Sequence, residues 1–498
     1  MIVNQAVIPI LIPWATGILL LFCFNNLRLQ RFFSGLSAVL ALSYAAHLLY
    51  DVYHNGTVIL WTGNWKPPFG IIMVVDLFSA ILVLTGAVTS LAVIFYSFGM
   101  IDERRERHFY YFLIQMLLVG VNGSFITGDI FNLYVFFEIF LISSYVLMVL
   151  GSTQGQLRET YKYLLLNFLA SVFFLIGVAL LYGMVGTLNM ADLAVKLPQV
   201  ENRGMVTLVS VLFLSAFGSK AAIFPLYYWL PHSYEEPPAS VGALFGGLLT
   251  KIGVYCIIRT FSLFFTSDPV FTNNLLLVLG FSTMFLGGLG AIAQYRYRRI
   301  LSYHIVSQIG YMIMGFAISG TVALMAAIYF IVHNIIVKSS LFLFAGVTEK
   351  ITGTDDLKQM GGLLHRYPLL GWGFFIAGIS LAGVPPLSGF SAKYLMLSGA
   401  AQANNYWAMF FTLSVAFFTL FSMIKIFVYC YWGEEKPVRP ESLEPSFNYR
   451  RYMPACLFLV LVSIGMGLGA EQVIDVIQKA AEQIRNPELY IRAVLGAA

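Results

Sequence analysis

Residues 213–255 read FLSAFGSKAAIFPLYYWLPHSYEEPPASVGALFGGLLTKIGVY. Two apolar segments in this stretch each carry one lysine, Lys220 and Lys251, and a turn rich in proline and glutamate joins them. Pro225 interrupts the first segment. A lysine at the centre of a lipid-spanning helix costs about 2.5–3.5 kcal/mol on insertion scales. A polar path or a partner charge has to offset that cost.

The rest of the chain has the same character. Its 498 residues are 59% hydrophobic and 11% charged, whereas soluble domains carry about 25% charged residues. The composition excludes a soluble enzyme and predicts an all-α polytopic membrane protein, in contact with membrane lipids and without a separate soluble domain. The apolar N-terminal segment has no basic residue before it, so it reads as a retained first span rather than a signal peptide. The four cysteines, Cys23, Cys256, Cys430 and Cys456, are scattered and suggest neither a disulfide framework nor a metal site. No phosphate-binding glycine loop, zinc-ligand spacing or nucleophile triad is visible, so no cofactor and no nucleic-acid partner are expected.

Fourteen apolar runs are long enough to span a bilayer, at about 20 residues each. Those that carry polar residues are the fifth (130–150), seventh (205–233), eighth (240–263), tenth (299–319), eleventh (321–346) and twelfth (368–400). Residues 54–75 predict a short hairpin outside the membrane. Residues 187–203, 353–366 and 471–496 predict amphipathic surface segments. One side of the membrane collects Arg28, Arg31, Arg104, Arg105, Arg107, Arg296, Arg298, Arg299, Arg439 and further basic residues. The other collects fewer, among them Lys66, Lys196, Arg203, Arg259 and Arg485. By the positive-inside rule the first side is cytoplasmic and both termini face outward.

Five lysines remain inside spans: Lys220, Lys251, Lys338, Lys393 and Lys425. Against them stands one deep carboxylate, Glu138, while Asp76 and Asp129 lie at span ends. Glu138 is either protonated or paired, and Lys220 is its natural partner; the pair then either holds helices together or belongs to a working path. Pro225 removes the helical donor from the Ala221 carbonyl, which leaves an acceptor beside Lys220. Broken backbone at membrane depth is tolerated where it is buried in protein or lines a wet cavity. Lys251 is too central to reach either interface. His333 and Lys338 are five residues apart and so lie on different faces of a straight helix. His304 sits in a polar band with Ser302, Ser307 and Gln308, as a core histidine or as a relay member. Lys425 reads as a snorkelling interface residue. His232 and the Glu235–Glu236 doublet form either a solvated turn or an inner mouth.

A weak internal repeat pairs the seventh span (Lys220, Pro225) with the twelfth, AGVPPLSGFSAKY, which carries Pro385, Pro386 and Lys393. An offset of five spans inverts one unit relative to the other, an arrangement that builds midplane sites in transporters. Buried lysines with cationic neighbours can gain and lose protons near neutral pH. A row of them joined by water conducts protons and repels Na⁺.

The segments FPLYYWLPHSYEEPPASVGALFGGLLTKIGVY and SYHIVSQIGYM, with Lys220 upstream, resemble the antiporter-like subunits of Mrp-type multisubunit cation/proton antiporters and of respiratory complex I. Length and detail most resemble the D-type branch of the Mrp group. The resemblance implies two inverted five-helix bundles, spans 4–8 (107–265) and 9–13 (270–433), flanked by N-terminal spans (1–106) and a C-terminal span with an amphipathic helix (434–498). It implies a bacterial plasma membrane, partner subunits, and proton movement along a hydrated axis of Glu138, Lys220, Lys251, His333, Lys338 and Lys393, with His304, Ser302, Pro225 and Pro386 in support. Na⁺ is then carried by the assembled complex. The alternative it implies is a proton-pumping subunit of complex I or of a related hydrogenase.

Overall fold

The computed structural model describes residues 5–436 and 448–496; Arg439 lies outside them. Among the described residues, 11 helices are long and apolar enough to cross a membrane. Tyr110–Ile126 and Pro368–Ala382 are shorter apolar helices, and Met453–Leu468 bends by 82° into Ala470–Arg485. The chain is therefore a mostly helical, multi-pass membrane protein. Polar caps mark where helices start. Asp129 accepts a hydrogen bond from the Asn132 amide, and Thr153 with Gln156 forms a reciprocal capping box.

The expected hairpin is present: Val58–Trp61 pairs antiparallel with Ile72–Val75, with Val58 opposite Val75. The expected surface segments are only partly superficial. Ala470–Arg485 is amphipathic, but Ile477, Ala480, Ala481 and Ile484 are buried. Their face packs on Leu77–Met100 and Thr321–Thr352 rather than lying in lipid. In 187–203, Met190 and Leu193 are likewise buried, in a helix that the C-terminal Pro487–Leu495 covers.

Ala239–Leu263, Tyr297–Ala317 and Thr321–Thr352 are the most deeply buried of the long helices among the described residues. Ala239–Leu263 and Thr321–Thr352 are buried along nearly all their length, as expected of helices that are apolar all round. The second is a continuous 32-residue rod against which helices from both halves of the chain pack. Two other helices are broken. Arg203–Ala221 stops at Ala222, which takes left-handed backbone at φ 61°, and short turns resume at Leu226. Pro368–Ala382 stops at Gly383, at φ 93°, and Ser388–Gln402 follows. Pro225 and Pro386 sit within these two breaks and have no N–H to continue a helix.

Ion pairs with carboxylates close both ends of the molecule. At the arginine-rich end, Glu235 is 4% exposed and takes Arg299 at 2.5 Å and Arg296 at 3.4 Å. It is thus a buried clamp between the broken seventh span and the start of Tyr297–Ala317, not a solvated turn. At the opposite end Arg259, expected in an outer loop, is 6% exposed and bound to Asp76 at 2.7 Å. The Tyr490 ring covers its guanidinium at 5.3 Å. Breaking a buried pair from one side costs about 3–5 kcal/mol because the remaining charge is uncompensated. Arg259→Met is therefore expected to lower the thermal midpoint of the purified protein clearly. Asp76→Asn in the same chain, which keeps an oxygen for the Ser79 amide, recovers most of the loss; equal midpoints for the single and double variants would refute this account.

Candidate functional site

Five lysine side chains inside the helical body are buried, and each is seated on main-chain carbonyls. Lys220 Nζ donates to Asn167 O at 3.4 Å and lies 5.9 Å from the centre of the Phe137 ring. Lys251 Nζ donates to Gly246 O at 2.5 Å. Lys338 Nζ donates to Leu301 O at 3.2 Å. Lys393 Nζ donates to Leu381 O at 3.2 Å and Ala382 O at 2.6 Å. Lys425 Nζ donates to Ile292 O at 2.7 Å and Gln294 O at 2.6 Å.

Local irregularities of the backbone supply several of these acceptors. Leu381 and Ala382 end the first half of the broken twelfth span, where carbonyls lack helical donors and the helix dipole is negative. Gly246 lies in a π-helical turn, Phe245–Leu249. Such a turn displaces the regular i→i−4 pattern and is frequent at functional sites. Lys425 caps the C-terminal end of Pro269–Ala293 and is 8% exposed. It is thus bound by protein, where the sequence predicts snorkelling towards the interface.

Glu138 lies half-buried on Ile130–Val149. It exerts an electrostatic effect on Lys220, yet no direct ion pair joins the two among the described residues. Its Oε1 is buried without a hydrogen-bond partner. The carbonyl beside Lys220 is that of Asn167 on the neighbouring Gln154–Val185 helix, not that of Ala221 as Pro225 suggests. The residues flanking the break turn inward to pair among themselves, Ile223 N donating to Gly218 O and Leu226 N to Ile223 O.

The two central residues of the rod face different neighbours, in line with their spacing. His333 Nδ1 meets Ser388 Oγ at 2.8 Å, while Lys338 faces the Tyr297–Ala317 helix. Lys251 lies within electrostatic reach of Lys338, Lys338 and Lys393 of both His304 and His333, and Lys425 of His304. His304 is fully buried and neither ring nitrogen has a partner. Ser302 bonds within its own helix to Arg298 O.

Thr250 and Asn334, which the sequence does not single out, join them. Thr250 Oγ1 and both side-chain polar atoms of Asn334 are buried without partners, as are Gln308 Oε1 and His333 Nε2. Buried polar groups in proteins are nearly always satisfied, by protein or by ordered water. These atoms therefore call for ordered water as their partner. Asn334 is adjacent to His333, and the pair Gly246–Gly247 marks the π-turn; these are the signals in the sequence. Asn167, whose backbone takes Lys220, leaves none. Among the described residues no group of three or more His, Cys, Asp or Glu side chains comes together.

A bilayer-spanning helical body with an internal file of cations held by carbonyls defines a membrane subunit built for ion movement. The chain belongs to the family described as NADH:quinone oxidoreductase/Mrp antiporter, TM, which matches residues 127–419. The D-type Na(+)/H(+) antiporter subunit of Alkalihalophilus pseudofirmus is 48% identical over 492 residues, 99% of each chain. That of Bacillus subtilis is 44% identical, again over 99% of each chain. In the Mrp complex from a Dietzia species, a chain 31% identical superposes with TM-score 0.93 over all of both chains. A chain of respiratory complex I from Thermus thermophilus, 24% identical, shares the fold at TM-score 0.83 over 99% of this chain and 100% of that one.

The Lys220 and Lys251 helices touch at Gly253, where a Cβ would lie 2.6 Å from Ala221 N and 2.7 Å from Phe217 O. Backbone atoms cannot move aside as a side-chain tip can. Overpacking of this kind costs about 1–3 kcal/mol. Gly253→Ala is expected to lower the thermal midpoint and to impair transport, whereas Gly183→Ala, with no atom within 4 Å of its Cβ, is expected to change neither. Wild-type behaviour of Gly253→Ala would show that the two helices do not approach so closely.

Proposed function

We propose that this chain is the proton-translocating subunit of a multisubunit Na⁺(cation)/H⁺ antiporter in a bacterial plasma membrane. The observation that carries the reading is the file of carbonyl-seated ammonium groups, Lys220, Lys251, Lys338 and Lys393, interleaved with unpartnered polar atoms. Glu138 modulates its Lys220 end, His304 and His333 link its second half, and Lys393 delivers the proton at the far break. Ammonium groups seated on carbonyls repel Na⁺, so the metal cation crosses through other subunits. Relatives 48% and 44% identical over nearly the whole chain, both D-type antiporter subunits, favour this reading over a redox-driven pump.

The same reading sets the organisation. The chain makes fourteen crossings, with residues 107–265 and 270–433 as inverted halves broken at Pro225 and Pro386. The arginine-rich face is cytoplasmic and both termini are outside. Other subunits of the Mrp type and lipids complete the assembly.

The test uses everted vesicles that hold the complete complex, with assembly followed on native gels. Lys220→Ala and Lys251→Ala are each expected to reduce Na⁺-driven proton movement by about 10²-fold or more, the scale set by losing a positioned proton carrier, while assembly is kept. Unchanged exchange in both assembled variants would place the proton route elsewhere. Na⁺ flux through this chain reconstituted alone would defeat the division of labour between subunits.

A further inference from the structure

A large cavity among the described residues is lined by none of the lysines of the file. It measures about 450 Å³, lies at the arginine-rich face, and is lined by Glu236, Ser240, Arg105, Arg298, Glu349 and Lys350 among others. Most of its charges are engaged. Arg298 pairs with Glu349 at 2.9 Å and donates to Pro237 O at 2.5 Å. Glu236 and Lys350 are the exceptions: neither has an ion-pair partner among the described residues, and Glu236 is the carboxylate of the two. It is half-buried and lies directly against Gly155, where any side chain would displace it. Burial, with the Glu235 carboxylate next to it, raises its pKa above the usual carboxylate value, opposed by Arg296 and Arg298.

The cavity ends on the helix that carries Lys251. Ser240 forms part of its wall, and the Tyr110 hydroxyl donates to Ser240 Oγ at 2.8 Å. From Ser240 to Gly246, the acceptor of Lys251, is six residues, or about 9 Å of helix rise. The helix face along that interval presents Gly242, Gly246 and Gly247. The Phe342 ring lies along the groove they leave: it would contact a Cβ at 3.1 Å at both Gly242 and Gly246, with Ile305 Cδ1 also approaching Gly246 at 2.8 Å, and the ring is fully buried. Ser339, one turn earlier on the rod, donates to Ala243 O at 2.9 Å and sits against Gly247.

We propose that the Glu236 cavity is the port through which protons from the arginine-rich face reach Lys251, and that the Phe342 ring is the gate between them. This rests on the reading of the lysine file as a proton path. The Glu236 carboxylate takes a proton from a hydronium ion in the cavity: an O–H bond of the hydronium breaks, leaving water, as one forms on the carboxylate. When the ring swings off the glycines, water enters the groove. The O–H bond then breaks as an N–H bond forms on the neutral Lys251 amine, and Gly246 O receives the new ammonium. With the ring in place the groove is dry, so Lys251 does not leak its proton back.

The test again uses the complete complex in everted vesicles, whose exterior is the cytoplasmic side. Glu236→Gln is expected to slow Na⁺-driven exchange by about 10²-fold, the lower end of what a positioned proton acceptor contributes; wild-type exchange would overturn the port. Phe342→Ala is expected to admit protons without Na⁺; vesicles as tight as wild type would overturn the gate. Ser240→Cys, in a chain whose four natural cysteines are replaced, is expected to react with an impermeant maleimide added outside these vesicles. Protection of an assembled Ser240→Cys chain would also overturn the port, whatever the activity of the other variants. Lys251→Ala separates the two ideas. If it abolishes exchange while Glu236→Gln and Phe342→Ala behave as wild type, the file stands and its entrance is elsewhere. If it exchanges normally, the file itself is wrong.

Discussion

Everything in the interior follows from one constraint: among the described residues Lys220, Lys251, Lys338, Lys393 and Lys425 are buried without an ion pair, while the buried carboxylates, Asp76 and Glu235 among them, are paired elsewhere. A lysine taken out of water needs acceptors. A carboxylate is the strong solution, but it fixes the charge of both partners and leaves an uncompensated ion when either is lost. Here the main chain provides the acceptors instead. A carbonyl dipole steadies an ammonium without demanding it, so the same nitrogen can hold or release a proton at modest cost. Regular helices have few carbonyls to spare, because each already accepts from an amide four residues on. Irregular backbone supplies the acceptors of Lys251, Lys393 and Lys425, whereas Lys220 and Lys338 share carbonyls of unbroken helices.

The irregularities are distributed with the lysines. The break at Gly383–Leu387 frees Leu381 O and Ala382 O for Lys393. The π-turn Phe245–Leu249 presents Gly246 O to Lys251. The chain break after Ala221 lies one residue from Lys220. Against these stands the unbroken Thr321–Thr352 helix, which carries His333 and Lys338 and touches elements of both halves. Both ends follow the opposite rule. Glu235 with Arg299, and Asp76 with Arg259, are tight carboxylate–arginine pairs, and arginine does not titrate in proteins. The ends are fixed by charge pairs; the middle is left adjustable.

Much of this was legible in the sequence. The apolar runs, the two proline breaks and the lysines within them are properties of local residues, and composition alone decides between membrane and water. Partners were not legible, because they are set by packing. Asn167 offers Lys220 a backbone oxygen, which no side-chain pattern encodes. Lys425 stands near aromatic residues that suggest an interface, yet the end of Pro269–Ala293 captures it first. Glu235 has the composition of a solvated turn and becomes a clamp only because Arg296 and Arg299, distant in the chain, fold over it. The amphipathic period of 470–485 reports a face to be covered, not whether lipid or protein covers it. The π-turn left its trace in Gly246–Gly247, but glycine pairs have other uses, and only the Lys251 contact gives this one a meaning.

Glu138 and Lys220 show why the absence of direct contact matters. Had the two side chains closed into an ion pair, each would hold the other charged, and the first lysine of the file would be fixed. Instead Asn167 O holds Lys220, and Glu138 acts on it through space with one oxygen free of any partner. Coulomb energy in a medium of intermediate dielectric falls only as 1/r, whereas a hydrogen bond vanishes beyond contact. A carboxylate held just out of reach therefore still biases the lysine by its charge but never locks it by geometry. The seat of Lys220 on Asn167 O is therefore independent of any contact with Glu138.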